Sequence, residues 1–168
     1  GNAVSWWQQV PAFSDAYQVL VFDHRGFGRS VCPPEHQNAL YFETDLLAIL
    51  DAAEIDSATI VCQSMGGWTG VRAAVSHPER VRGVFLANTP GAVQTQAVAD
   101  NWAQLTKRIT EGGGLIHRAI SEPFALEYPD RALLYQQIAA FNTGAAPNLR
   151  DDDVGISPSQ VLDSNVPF

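Results

Sequence analysis

Residues 58–67 read Ala-Thr-Ile-Val-Cys-Gln-Ser-Met-Gly-Gly. Ala58 to Cys62 is a β-branched apolar run of strand length, and Met65 to Ser76 has helical character ended by His77-Pro78. Val81-Arg-Gly-Val-Phe-Leu-Ala87 then repeats the strand pattern. Strand, helix and strand in that order predict a right-handed parallel crossover. Ser64 stands where the first of these strands turns sharply into the helix.

Such a turn is where a serine is exposed as a nucleophile. It forces the serine into a strained backbone conformation, so the flanking residues must be small, and the helix start aims free N–H groups at developing negative charge. Gly66 meets the size requirement two residues after Ser64, and Gly67 relaxes the crowding further. Two residues before Ser64 stands Cys62, a departure from Gly-x-Ser-x-Gly that keeps a small, buriable side chain. The bland alternative is a serine N-cap on an ordinary helix.

Outward toward the N-terminus, Tyr17-Gln-Val-Leu-Val-Phe-Asp23 is a nearly continuous apolar run, read as a strand over Gln18 to Asp23 covered on both faces. From Tyr41 to Glu54, Phe42, Leu46, Leu47, Ile49 and Leu50 recur at helical spacing, with Glu43, Asp45 and Asp51 free to face water. Beyond Pro90 the texture changes. Thr95 to Glu111 and Arg131 to Phe141 read as helices, separated by Gly112-Gly-Gly114, Pro123 and Pro129, with no convincing strand in this stretch. This is a helical insertion over about Gln94 to Asn165, after which Val166-Pro-Phe168 reads as the first step of another strand. Gly112-Gly-Gly114 lacks the Lys-Ser/Thr of a phosphate loop, and Arg150-Asp-Asp-Asp153 reads as a solvated cluster.

Composition narrows the function classes. The chain has 168 residues, 46% hydrophobic, which suits one domain with its own core. Ten basic residues against eighteen acidic ones give a net charge of −8, and Lys107 is the only lysine. No basic stripe is left to track nucleic acid or an anionic membrane. No apolar run reaches the roughly 18 to 20 residues that span a bilayer. The start at Gly1 lacks signal-peptide character, although an upstream leader is compatible with a chain that does not begin with Met. Cys32 and Cys62 are isolated, implying neither a disulfide framework nor a zinc site, and a reducing cytoplasm is the default compartment.

Three segments in order carry a resemblance: Asp23-His-Arg-Gly-Phe-Gly-Arg-Ser30, Gln63-Ser-Met-Gly-Gly67 and His77-Pro-Glu-Arg-Val81. Together they resemble the α/β-hydrolase fold superfamily. The likeness runs from Ser5-Trp-Trp-Gln-Gln9 through Leu86-Ala-Asn-Thr89 and into a helical cap. Within the superfamily the pattern looks most like small bacterial esterases and enol-lactonases, and carbon–carbon bond hydrolases share the same elbow. Haloalkane dehalogenases and epoxide hydrolases carry aspartate where this chain has Ser64.

The resemblance implies an α/β fold, a parallel sheet with flanking helices. Residues 1–93 form the N-terminal part of the core, 94–165 a helical cap, and 166–168 the start of the next core strand. It implies a serine hydrolase acting on a small-molecule acyl substrate, an ester, lactone or thioester, with no cofactor and no metal. Ser64 is the nucleophile and the backbone N–H of Met65 donates to the oxyanion, with Gln63 and Trp68 on the substrate side. The triad aspartate and histidine are expected after residue 168, and the second oxyanion donor before Gly1. The chain then looks like the central portion of a longer hydrolase, inert by itself. A non-catalytic ligand-binding module on the same fold, or a carbon–carbon bond hydrolase, is the alternative.

The remaining candidates read as structural. His24 lies in the loop of residues 23–30 near the active-site end of the sheet and reads as structural from that context, His36 and His117 have no carboxylate at a telling spacing, and His77 lies about 20 Å along the helix from Ser64 at ~1.5 Å per residue. Asp23, Arg25, Gly26 and Gly28 fix their loop rather than catalyse. Trp6, Trp7, Trp68 and Trp102 either line an apolar pocket or pack in the core.

Overall fold

The computed structural model describes residues 1–110, 120–142 and 155–168. In chain order the elements are α1 (Gln9–Ser14), α2 (Phe42–Ala52), β1 (Ala58–Gln63), α3 (Gly66–Ser76), β2 (Val81–Ala87), α4 (Gln96–Thr110), α5 (Glu122–Glu127), α6 (Pro129–Ala139) and α7 (Pro158–Asp163). Short 3₁₀ turns lie between several of them. The chain divides into two compact units, Gly1–Gln37 with Ala103–Ala145, and Asn38–Trp102 with Ala146–Phe168.

The second unit holds the predicted crossover. β1 and β2 pair in parallel, with Ile60 opposite Val84, Cys62 opposite Leu86 and Gln63 opposite Ala87. Helix α3 connects them and lies on one face of the sheet, where Gly70 meets Cys62, Val84 and Ile60. Helix α2 is joined to α3 by an ion pair, Arg72 Nε to Glu43 Oε2 at 3.0 Å, with both side chains largely buried. One buried core cluster of this unit comprises Ala39, Phe42, Trp68, Val71, Ala92 and Ile156. Phe42, Leu46 and Leu50 are the buried positions of α2, as its helical spacing predicts.

α3 ends at His77, whose N–H donates to the Ala73 carbonyl at 2.8 Å before Pro78 halts the helix. Arg80 in the following turn is held three times. It donates through Nε to the Asp56 carbonyl at 2.6 Å, and through Nη2 to Asp51 Oδ1 at 2.6 Å and to the Ile55 carbonyl at 3.3 Å. Val166-Pro-Phe168 returns beside β2, where the Pro167 carbonyl accepts from the Val84 N–H at 2.9 Å. This is one hydrogen bond, and residues 166–168 form no strand ladder.

In the first unit the sequence expectation of a strand over Gln18 to Asp23 is not met: these residues carry no strand ladder. A strand exists only through hydrogen bonds to a neighbour. Here Val19 and Val21 stay 37% and 41% exposed, so the run is covered on one side only. Its last residue serves the loop instead. Asp23 Oδ1 accepts from the Ala3 N–H at 2.6 Å and Oδ2 from the Arg29 N–H at 2.9 Å. Asn2 is buried, accepting from the Val4 N–H and donating to the Ile138 carbonyl at 2.8 Å.

The predicted helices at Thr95–Glu111 and Arg131–Phe141 are α4 and α6, with ends moved by one or two residues. Helices α1, α5 and α7, six residues each, lie outside the elements the sequence pattern predicts. Gly112-Gly-Gly114, His117 and Arg150-Asp-Asp-Asp153 lie outside the described residues.

Candidate active site

The strand-to-helix junction has the geometry its sequence calls for. Ser64 takes φ 49°, the left-handed region in which a residue with a Cβ is strained. Its N–H donates to the Ala87 carbonyl at 3.3 Å, tying the end of β1 to the end of β2. Its carbonyl accepts from the Gly67 N–H at 3.0 Å, and that of Met65 from the Trp68 N–H at 3.1 Å, so the helical turn begins at once. The N–H groups of Met65 and Gly66 therefore lie in a first turn that offers them no intrahelical acceptor, at the positive end of the helix dipole.

An N-cap role does not fit. A capping serine has extended backbone and accepts a hydrogen bond through its side chain. Ser64 has positive φ, and no side chain caps α3. Ser64 is exposed, and its hydroxyl makes no hydrogen bond among the described residues.

The close approach behind the turn falls at Gly67 rather than Gly66. A Cβ on Gly66 would meet only Cys62 Cβ, at an ordinary 3.9 Å. A Cβ on Gly67 would come within 2.7 Å of the Gly91 Cα and 2.8 Å of Thr89. One turn on, Gly70 leaves the room that Cys62 Sγ occupies. Cys62 can thus stand where a glycine is usual because Gly66 and Gly70 leave space around it. Burial pushes its thiol up to about 12, against a weaker opposing contribution from a hydrogen bond with the Gly70 backbone. Beside the serine there is then a neutral thiol, not a competing thiolate.

The flanking candidates separate by burial. Gln63 is exposed at the end of β1, and Met65 is half-buried against the core. Trp68 is 6% exposed and belongs to that core, its ring 6.5 Å from that of Trp102.

The loop of residues 23–30 is built as expected of a structural turn. Gly26 and Gly28 take φ 79° and 50°, and a Cβ on either would strike Gln37 or the Asp23 carboxylate. Arg25 Nη1 donates to the His36 carbonyl at 3.2 Å. The His24 ring packs 5.2 Å from Phe22, and His77 Nδ1 lies 3.9 Å from Glu79 Oε1. Among the described residues no group of three or more His, Cys, Asp or Glu could hold a metal ion, and no helix is long and apolar enough to cross a membrane.

Comparison with known proteins places the chain by family. The chain is 36% identical over 112 residues to 3-oxoadipate enol-lactonase 2 of Acinetobacter baylyi, covering 67% of this chain and 41% of that protein. It is 34% identical over 92 residues to an epoxide hydrolase of Caballeronia sordidicola, covering 53% of this chain and 28% of that protein. The chain thus spans less than half the length of either relative. The crystal structure of the enol-lactonase from Burkholderia xenovorans superposes with a TM-score of 0.61 at 24% identity, covering 85% of this chain and 55% of that one. Residues 1–114 match the family described as alpha/beta hydrolase fold, and with most of its length inside that match this chain belongs to the family.

Proposed function

We propose that the protein is a serine hydrolase that cleaves a small ester, lactone or thioester through an acyl-enzyme on Ser64, without a cofactor. The observation that carries this reading is Ser64 itself, exposed and at φ 49° between β1 and α3. Backbone strain of this kind is maintained where a side chain must be presented. The 36% identity to an enol-lactonase supports a lactone or related ester as the substrate class.

In this reading Ser64 Oγ attacks the acyl carbonyl and the Met65 N–H donates to the oxygen that becomes negative. Gln63 borders the substrate, and Trp68 backs the turn from the core. The serine proton needs a base, normally a histidine oriented by a carboxylate, and in this fold both follow the nucleophile in chain order. His77 is at the far end of α3 and cannot serve. Residues 94–165 are proposed as a helical cap insertion, with Ile156 packing in the core.

The test is labelling of the intact natural protein with a fluorophosphonate, followed by peptide mapping, beside a Ser64→Ala variant. An adduct on Ser64, with turnover of a lactone or ester reduced about 10⁴- to 10⁶-fold in the variant, is expected. A folded intact protein that neither labels nor hydrolyses would be a non-catalytic module.

A further inference from the structure

We propose that Asn88 is a specificity-determining residue of the same site. Its side-chain amide donates a hydrogen bond to a second oxygen of the substrate, one distinct from the reacting carbonyl. The inference rests on the assignment of Ser64 as nucleophile. The substrate class it implies is an oxygen-rich acyl compound, such as a lactone bearing a carboxylate or keto group, rather than a plain alkyl ester.

Asn88 is placed by the sheet. Gln63 is in register with Ala87, and the Ser64 N–H is bonded to the Ala87 carbonyl at 3.3 Å. The two strands therefore leave the sheet at one level, and the next residue on each, Ser64 and Asn88, stands side by side with the other at the carboxyl ends. In open α/β sheets this is the end at which ligands bind. Both residues take left-handed backbone, φ 49° at Ser64 and φ 52° at Asn88.

Asparagine tolerates that conformation, so a purely local role must be weighed. The turn after β2 is held without its side chain. Thr89 Oγ1 accepts from the Gly91 N–H at 2.9 Å, and Gly91 supplies its own positive φ of 61°. Asn88 is exposed, and its amide makes no hydrogen bond among the described residues. Two other asparagines spend theirs locally: Asn38 accepts from the Leu40 N–H at 2.9 Å, and Asn165 donates to the Asp163 carbonyl at 3.1 Å. An amide is also suited to the task. It offers two donors, carries no charge at any working pH, and leaves the serine's protonation untouched. A site that hydrogen-bonds a substrate oxygen discriminates strongly against analogues lacking it.

Two variants of the intact natural protein separate the roles. Asn88→Gly adopts positive φ freely, so it removes the amide while sparing the turn. Asn88→Asp keeps size and backbone tolerance but accepts instead of donating. Each is assayed on a carboxylate-bearing lactone, on p-nitrophenyl acetate and for the rate of fluorophosphonate labelling at Ser64. Both should lose about 10- to 100-fold in kcat/KM on the lactone. Turnover of p-nitrophenyl acetate and labelling should stay within about twofold, with the thermal midpoint of the glycine variant unchanged. Wild-type lactone turnover by Asn88→Gly would overturn the proposal and leave Asn88 a turn residue. Equal losses on both substrates with slowed labelling would overturn it too, by showing that Asn88 supports the Ser64 turn. If the unsubstituted protein fails to label, the nucleophile assignment itself has failed, and this inference falls with it.

Discussion

At the scale of single residues, the turn at Ser64 shows which chemistry is local and which is not. A serine between an apolar strand and a helix is legible in sequence, and its positive φ follows from having to turn there. Which of the two glycines after it is hemmed in is not legible. Sequence spacing pointed to Gly66, whereas the backbone of Gly91 and the side chain of Thr89 approach Gly67. Gly67→Ala should therefore cost about 1 to 3 kcal/mol in urea denaturation, as overpacking does, while Gly66→Ala should change stability by less than about 1 kcal/mol. Cys62 gives a second prediction. It is 2% exposed, and with a native thiol near 12 only about one molecule in ten thousand is thiolate at pH 8. Iodoacetamide at that pH should modify Cys32 in the native protein, and Cys62 only after denaturation, as read by peptide mapping. The native value lies above the ordinary 9.0, so the contribution of this thiol to stability is complete below about pH 9 and is lost as pH rises toward 12. The loss is ~1.4 kcal/mol per pH unit. Cys62→Ala should flatten the fall of unfolding free energy between about pH 9 and about pH 10.5 by that slope; an unchanged slope would sink the assignment.

At the scale of elements, agreement follows from how much of each signal lies in adjacent residues. β2 runs over Val81–Ala87 as read from its apolar pattern, and α3 stops at His77-Pro78 as read from the proline. Helix α7 escapes a reading by apolar spacing although its start is written out: Ser157 accepts from the Gln160 N–H, Gln160 returns the bond, and Pro158 occupies the first turn. Helix α5 opens in the same way, with Ser121 capping and Pro123 in the first turn. Both are too short for apolar periodicity to show, but a search for capping serines followed by proline would have found them. Arg80 carries a prediction at this scale. It joins the turn before β2 to the end of α2 and the lead into β1 through two carbonyls and Asp51. A lysine has one point charge where arginine has a planar fork. Arg80→Lys should therefore lose about 1 to 2 kcal/mol of stability, close to the loss of Arg80→Ala, and salt should restore neither.

At the scale of the whole molecule, the sheet carries a consequence for association. α3 covers one face of the pair, and on the other Val61 and Phe85, opposite each other in register, are 53% and 62% exposed. Parallel strands are normally buried on both faces. Residues 1–168 produced alone should therefore bind a hydrophobic dye and sediment with a mass that rises with concentration, and Phe85→Lys should reduce both. A monodisperse, dye-silent species would count against this. The sequence by itself determined the strand, helix and strand of residues 58–87, the serine at their turn and the glycine-rich loop of residues 23–30, because each is encoded by neighbours a few positions apart. Tertiary structure alone decided that Gln18–Asp23 joins no ladder, that Trp68 lies in the core, that Gly67 rather than Gly66 is hemmed in, and that Asn88 ends beside Ser64. Those outcomes depend on backbone pairing and packing between segments distant along the chain, and no local pattern of side chains carries that information.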